Sequence, residues 1–147
     1  MKKKIFICLS ILIFLSVSSI AITTKKNMSV QEDLKTIDKI ADIVNRKNDL
    51  NKLYIKDNNE EVEYEINECD KLIDELHSIN SSGAIRNDYL VNIMNNSIEA
   101  IINRKTSLQC SKNLDLKSYS EYNKKESYNV EQIKLNIQRF KADNDVE

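Results

Sequence analysis

Apolar residues recur along most of this chain at spacings of three and four. That is the mark of helices that each bury one face. Val30, Leu34, Ile37, Ala41 and Val44 form the first stripe, widened by Ile40 and Ile43. Ser29 and Glu32 make a capping-box pattern, so the spacing predicts a helix that starts at Ser29. The polar run Asn45-Arg46-Lys47-Asn48-Asp49 interrupts the stripe, and Leu50, Leu53 and Tyr54 resume it. The predicted helix therefore reaches about Lys56, with a bend or a less tightly packed level at the interruption.

Asp57-Asn58-Asn59 reads as a turn and cap. A second stripe follows on Val62, Ile66, Cys69, Ile73 and Leu76, flanked by Leu72 and Ile79. It predicts a helix over Asn59 to Asn80, ended by Ser81-Ser82-Gly83. The single glycine stands where a helix terminus can use a positive φ. The third helix is predicted from about Ile85 to Leu108. Its seam is Val91, Met94, Ile98 and Ile101, with Leu90, Ile93 and Ile102 beside it.

Beyond this point the pattern weakens. Ser111 to Tyr128 is polar, with scattered Leu114, Leu116, Tyr119 and Tyr122. It reads as weakly structured, open to helix, loop or both. Asn129 looks like a cap for a last short helix carrying Val130, Ile133, Ile137 and Phe140, with a frayed end over Lys141 to Glu147. The expected fold is all-α: an antiparallel bundle of three long helices plus a shorter C-terminal helix.

Composition supports that class. The 147 residues include one Gly and no Pro, and sheets need turns that lean on both. A single glycine also rules out phosphate-cradling and dinucleotide-binding loops. The first residues have a different character. Lys2, Lys3 and Lys4 form a basic head, Ile5 to Leu15 is an apolar run, and Ser18-Ser19-Ile20-Ala21 supplies small residues. These are the zones of a secretory signal, with cleavage expected after Ala21. The alternative is an uncleaved anchor over residues 5–22, at the short limit for crossing a bilayer. Cys8 comes too early for lipid modification. Residues 22–147 then form a single helical domain, placed outside the cytoplasm: secreted, periplasmic or extracellular.

Losing the three leader lysines takes the net charge from −1 to −4, which is not the footprint of a nucleic-acid binder. Charge is uneven, however: Asp57 to Glu75 holds nine acids and only Lys71 as a base. The plain reading is a solvated helix face partly neutralised by its neighbours. The sharper reading is a docking surface for a basic partner or for cations, using Glu61, Glu65 and Glu68.

Cys69 and Cys110 are the two cysteines that follow the leader, so one disulfide is a candidate. A hairpin centred on Gly83 sets Cys69 level with residue 97. Cys110 then lies about 20 Å further along the axis, too far for a bridge unless the chain turns back after Thr106. Chemistry has few carriers. His77 is the only histidine, and it sits about 12 Å along one helix from Cys69. Asp70, Asp74 and His77 share a helical face and could in principle hold a divalent ion, but the repeated Glu-x-x-His of a di-metal bundle is missing. No cofactor is implied. Tyr119, Tyr122 and Tyr128, with lysines between them, have the composition of a protein interface and equally that of a polar-tipped core edge.

The expected function is an exported, non-enzymatic interaction protein of the inhibitor, adaptor or toxin-neutralising kind, with a protein partner. Two alternatives stand beside it. One is a membrane-tethered structural or accessory subunit. The other is a metal-binding protein or enzyme centred on Asp70, Asp74 and His77.

Overall fold

The structure, a computed structural model, describes residues 27–48 and 59–146. The expected leader, the anchor over 5–22 and the run from Asp49 to Asn58 lie outside the described residues. The chain divides into two compact units, Met1–Leu34 and Lys35–Glu147. In the first, residues 27–34 are helical. The second holds the remainder of that helix and three more, and it is an all-α bundle. The helices are α1 (27–48), α2 (Asn59–Ser81), α3 (Asp88–Lys112) and α4 (Leu116–Asp143).

Cross-helix pairs give the arrangement. Arg46 of α1 meets Glu75 of α2, and Glu65 of α2 meets Arg104 of α3. Tyr89 and Phe140 join α3 to α4 edge to face, with centroids 5.9 Å apart. Lys47 of α1 meets Glu126 of α4. In the Glu65–Arg104, Tyr89–Phe140 and Lys47–Glu126 pairs an earlier residue of one helix faces a later residue of the other. Neighbours therefore run antiparallel, and the four helices close into a ring in chain order. The core is mostly branched aliphatic: Ile40, Leu76, Leu90, Ile93, Ile101 and Leu108 are among its fully enclosed members.

Helix ends follow local chemistry. Gly83 has φ 75°, as expected of the one residue without a Cβ. α3 starts at Asp88, later than Ile85, because the Asn87 side chain accepts the Leu90 N–H at 2.9 Å and sets the cap there. At the far end, the Asp115 carboxylate accepts the Ser118 N–H at 3.1 Å and starts α4.

Several expectations need correction. The chain is already helical at Asn27, so Ser29 lies inside α1 and cannot cap its start. The stretch over 111–128 is not weakly structured. From Leu116 it is the first half of α4, which at 28 residues is longer than α2 or α3. Asn129 is therefore mid-helix, and the fourth helix is not a short one. The helix runs through Lys141 to Asp143 as well, so the expected frayed end begins later. Finally, the buried face of α3 is turned from the one hydrophobicity picks out. Val91 and Ile102 are exposed, while Ser97, Ala100, Arg104 and Ser107 are buried. Ser97 Oγ donates to the Ile93 carbonyl at 2.7 Å and Ser107 Oγ to that of Arg104 at 2.9 Å. Each hydroxyl is satisfied within its own helix, so burial costs little.

Candidate functional site

Two places depart from what each position's surroundings demand. The first is inside. Lys47 is 0% exposed, Glu65 and Arg104 are 4% exposed, and Glu126 is 8% exposed. One comes from each helix. Lys47 Nζ donates to Glu126 Oε1. Arg104 Nη2 donates to Glu65 Oε2 at 3.1 Å. Buried charges survive only when paired, and here each has its counter-charge.

Cys69 sits among these groups, fully buried. Burial pushes its thiol up to about 11, against small opposing pulls from Arg104 and Lys47. It is a protonated, poor nucleophile at neutral pH. Burial also raises the Glu65 carboxyl above its ordinary value, and Arg104 only partly offsets this.

The second place is outside, at the turn between α3 and α4. Leu114 is 85% exposed and Leu116 is 72% exposed. Leu114 also has φ 59°, a left-handed conformation that a branched side chain rarely adopts. The charges around the turn are spent locally. Lys112 pairs with Glu63 of α2, and Lys125 with Glu121 at 2.7 Å. The Asp115 carboxylate is held below its ordinary value by the hydrogen bond from Ser118.

The expected acidic docking face is largely consumed by the bundle. Glu65 is not a surface residue at all; it turns inward to Arg104. Asp70 accepts from Lys105 Nζ at 2.6 and 2.8 Å. Glu75 binds the Arg46 guanidinium, and Arg46 also reaches Asp42 at 3.5 Å. Glu68 is half-buried and pairs with Lys71, while Glu61 is exposed. The acids of α2 thus face bases that the sequence scatters over α1 and α3.

The three tyrosines do not form one patch either. Tyr119 and Tyr122 are half-buried, and Lys125 Nζ lies 4.6 Å from the Tyr122 ring centroid. Tyr128 is exposed. Nine residues of helix turn it about 180° away from Tyr119. A loop can gather such residues; a continuous helix distributes them.

Among the described residues no group of three His, Cys, Asp or Glu side chains is placed to hold a metal ion. Asp70 points to Lys105, and Asp74 and His77 are exposed. Also among the described residues, no helix is long and apolar enough to cross a membrane.

Cys69 and Cys110 are free thiols, the first buried and the second half-buried. The ion pairs Glu63–Lys112, Glu65–Arg104 and Asp70–Lys105 set the register of α2 on α3. They leave Cys110 roughly 6–15 Å along the axis from the level of Cys69, closer than a turn centred on Gly83 implies. The hairpin turns over Ser82–Asn87, which shifts every α3 residue toward the turn.

Lys47, Arg104 and Glu126 were not singled out by the pattern of apolar residues. A signal was there: Lys47 is seven residues from Ile40, Glu65 from Leu72, and Glu126 from Ile133, all core positions. Seven residues are nearly two turns, so each charge stands in an apolar stripe.

Compared with protein-family models, with curated proteins and with solved structures, the chain matches none. Function must therefore be argued from these residues alone.

Proposed function

We propose that this chain is an exported, non-catalytic helical binding protein that meets a protein partner through the α3–α4 turn. The observation that carries this reading is the pair of exposed leucines, one held at positive φ. The positive φ closes the end of α3, where the Asp115 N–H donates to the Cys110 carbonyl at 2.9 Å, and it leaves an apolar side chain in solvent where another molecule can cover it. The self-compensated charges around it favour an apolar pocket as the complement, with a rim that excludes water. Export rests on the basic, apolar and small-residue zones at the start of the sequence. A non-catalytic role is supported by the suppressed nucleophilicity of the buried Cys69 and by the exposure of His77 on the surface of α2.

The test compares the mature protein with a Leu114→Ser/Leu116→Ser variant. Each is immobilised and exposed to envelope and medium fractions of the host. The expected result is a partner retained by the parent and lost by the variant, with both showing the same thermal midpoint. Equal retention by the two would remove the turn from the interface. Retention of nothing by the parent would remove the binding role.

A further inference from the structure

Asp33 is also buried but belongs to the Met1–Leu34 unit; we infer that the four buried charges of the Lys35–Glu147 unit encode the order in which its helices surround the core. Around the ring the signs alternate: Lys47 on α1, Glu65 on α2, Arg104 on α3 and Glu126 on α4. Within that unit each helix thus carries one buried charge, opposite to that of both neighbours, and like charges fall on the diagonals.

The consequence follows from counting arrangements. Four helices can surround one axis in three cyclic orders. The observed order places four unlike pairs side by side. Either other order makes α1 a neighbour of α3 and α2 a neighbour of α4. That sets Lys47 against Arg104 and Glu65 against Glu126, in a place with no water to screen them. The aliphatic stripes make no such distinction, because Ile and Leu pack against Ile and Leu in any order.

Axial sliding is opposed by the same groups. A shift of one turn, about 5.4 Å, moves Glu126 away from Lys47 and brings Tyr122 or Val130 to it. Neither can accept a buried ammonium's charge. On the other seam, Asp70–Lys105 and Glu63–Lys112 record the same register at the surface, so a slip that offered Glu61 to Arg104 breaks both. Buried ion pairs contribute little net stability compared with well-packed apolar residues, so selection among arrangements is the role left to them. A buried polar group that fixes register in a coiled coil is the general precedent.

Three variants test this. K47E/E126K keeps the α1–α4 pair but sets like charges at the α1–α2 and α3–α4 seams. K47E/E65K/R104E/E126K inverts every sign and restores alternation. K47M/E65L/R104M/E126L removes charge altogether. The readouts are oligomeric state by light scattering, the number of backbone amide resonances, and cross-linking yields between cysteine pairs introduced at each seam. The half-swapped protein is expected to lose its single cooperative transition and its native cross-linking pattern, and the fully swapped protein to regain both. The apolar protein is expected to stay helical with a thermal midpoint no lower than the parent's, while showing extra resonances or mixed oligomers. The proposal is overturned if the half swap behaves like the parent, if the full swap recovers nothing, or if the apolar protein is a monomer with one set of resonances.

Discussion

The core and the α3–α4 turn break the same rule in opposite directions. At the core of the Lys35–Glu147 unit, two acids and two bases occupy positions among mostly apolar residues. At the turn, two leucines occupy positions where solvent calls for polar residues. The difference is in who supplies the partner. Each buried charge finds its counter-charge within the chain, in a fixed geometry. The exposed leucines find nothing in the chain. Burial without a partner is forbidden by desolvation, so an internal exception must be self-contained. Exposure of leucine is merely unprofitable, so an external exception can wait for another molecule. That contrast is why the core is read as architecture and the turn as contact.

The largest effect should come from breaking one pair of the layer. Glu126→Leu leaves Lys47 buried without its counter-charge, and removing one partner of a buried pair costs about 3–5 kcal/mol. The Lys47→Met/Glu126→Leu double change should restore most of that loss. Urea unfolding of the parent, both single variants and the double variant gives the coupling directly. A coupling near zero would mean that Lys47 reaches water and that the layer is no exception at all.

Next in size is an ordinary core position, which calibrates the layer. Leu76 is fully buried on α2, and Leu76→Ala should cost about 2–5 kcal/mol. A smaller cost than that of Glu126→Leu supports the view that the charges are the more exacting part of the core. The cap between α2 and α3 is smaller still. Asn87→Ala removes the acceptor for the Leu90 N–H and should cost about 1 kcal/mol.

Cys69 reports on the layer by chemistry. In the folded protein its thiol should resist alkylation at pH 8, while the half-buried Cys110 reacts. The sign for stability is set by the upward shift. The folded state holds the proton more tightly than the unfolded state does. That advantage is fully present below the ordinary thiol value of 9.0 and is lost as pH rises towards about 11. A Cys69→Ala variant should therefore unfold with less dependence on pH over this window. Fast modification of Cys69 at pH 8 would show that the layer opens.

Much of this was legible in the order of residues. The helical class, the extent of α2, and the role of Gly83 follow from spacing and turn chemistry. What escaped has a common cause. A stripe read by hydrophobicity treats a charged residue as a break, so Lys47 was taken for an interruption when it continues the buried face of α1. Serines carry no signal in such a stripe either, yet Ser97 and Ser107 are buried on α3 and satisfy themselves within the helix. The first half of α4 looked weak because its face carries few large apolar residues; Glu126 is its only buried residue before Ile133. Pairing across 79 residues of chain, from Lys47 to Glu126, has no local signature. The leucines at the turn were visible as letters, but only the break between α3 and α4 exposes them.

The smallest expected effect is the one that separates the two regions most cleanly. Leu114 adopts φ 59° with its side chain almost wholly in solvent. A left-handed conformation costs a residue with a Cβ about 1–2 kcal/mol, and glycine escapes that cost. Against this, glycine loses more backbone freedom on folding, about 0.5–1 kcal/mol. The net for Leu114→Gly is a gain of up to about 1 kcal/mol, because no buried contact is removed. No core change described above should raise stability as a single substitution. If Leu114→Gly raises the urea midpoint and abolishes capture of the partner, then the turn is held against the interest of the fold and for the sake of contact. A loss of stability would mean that Leu114 packs on something within this chain, and the turn would then belong to the architecture like the core.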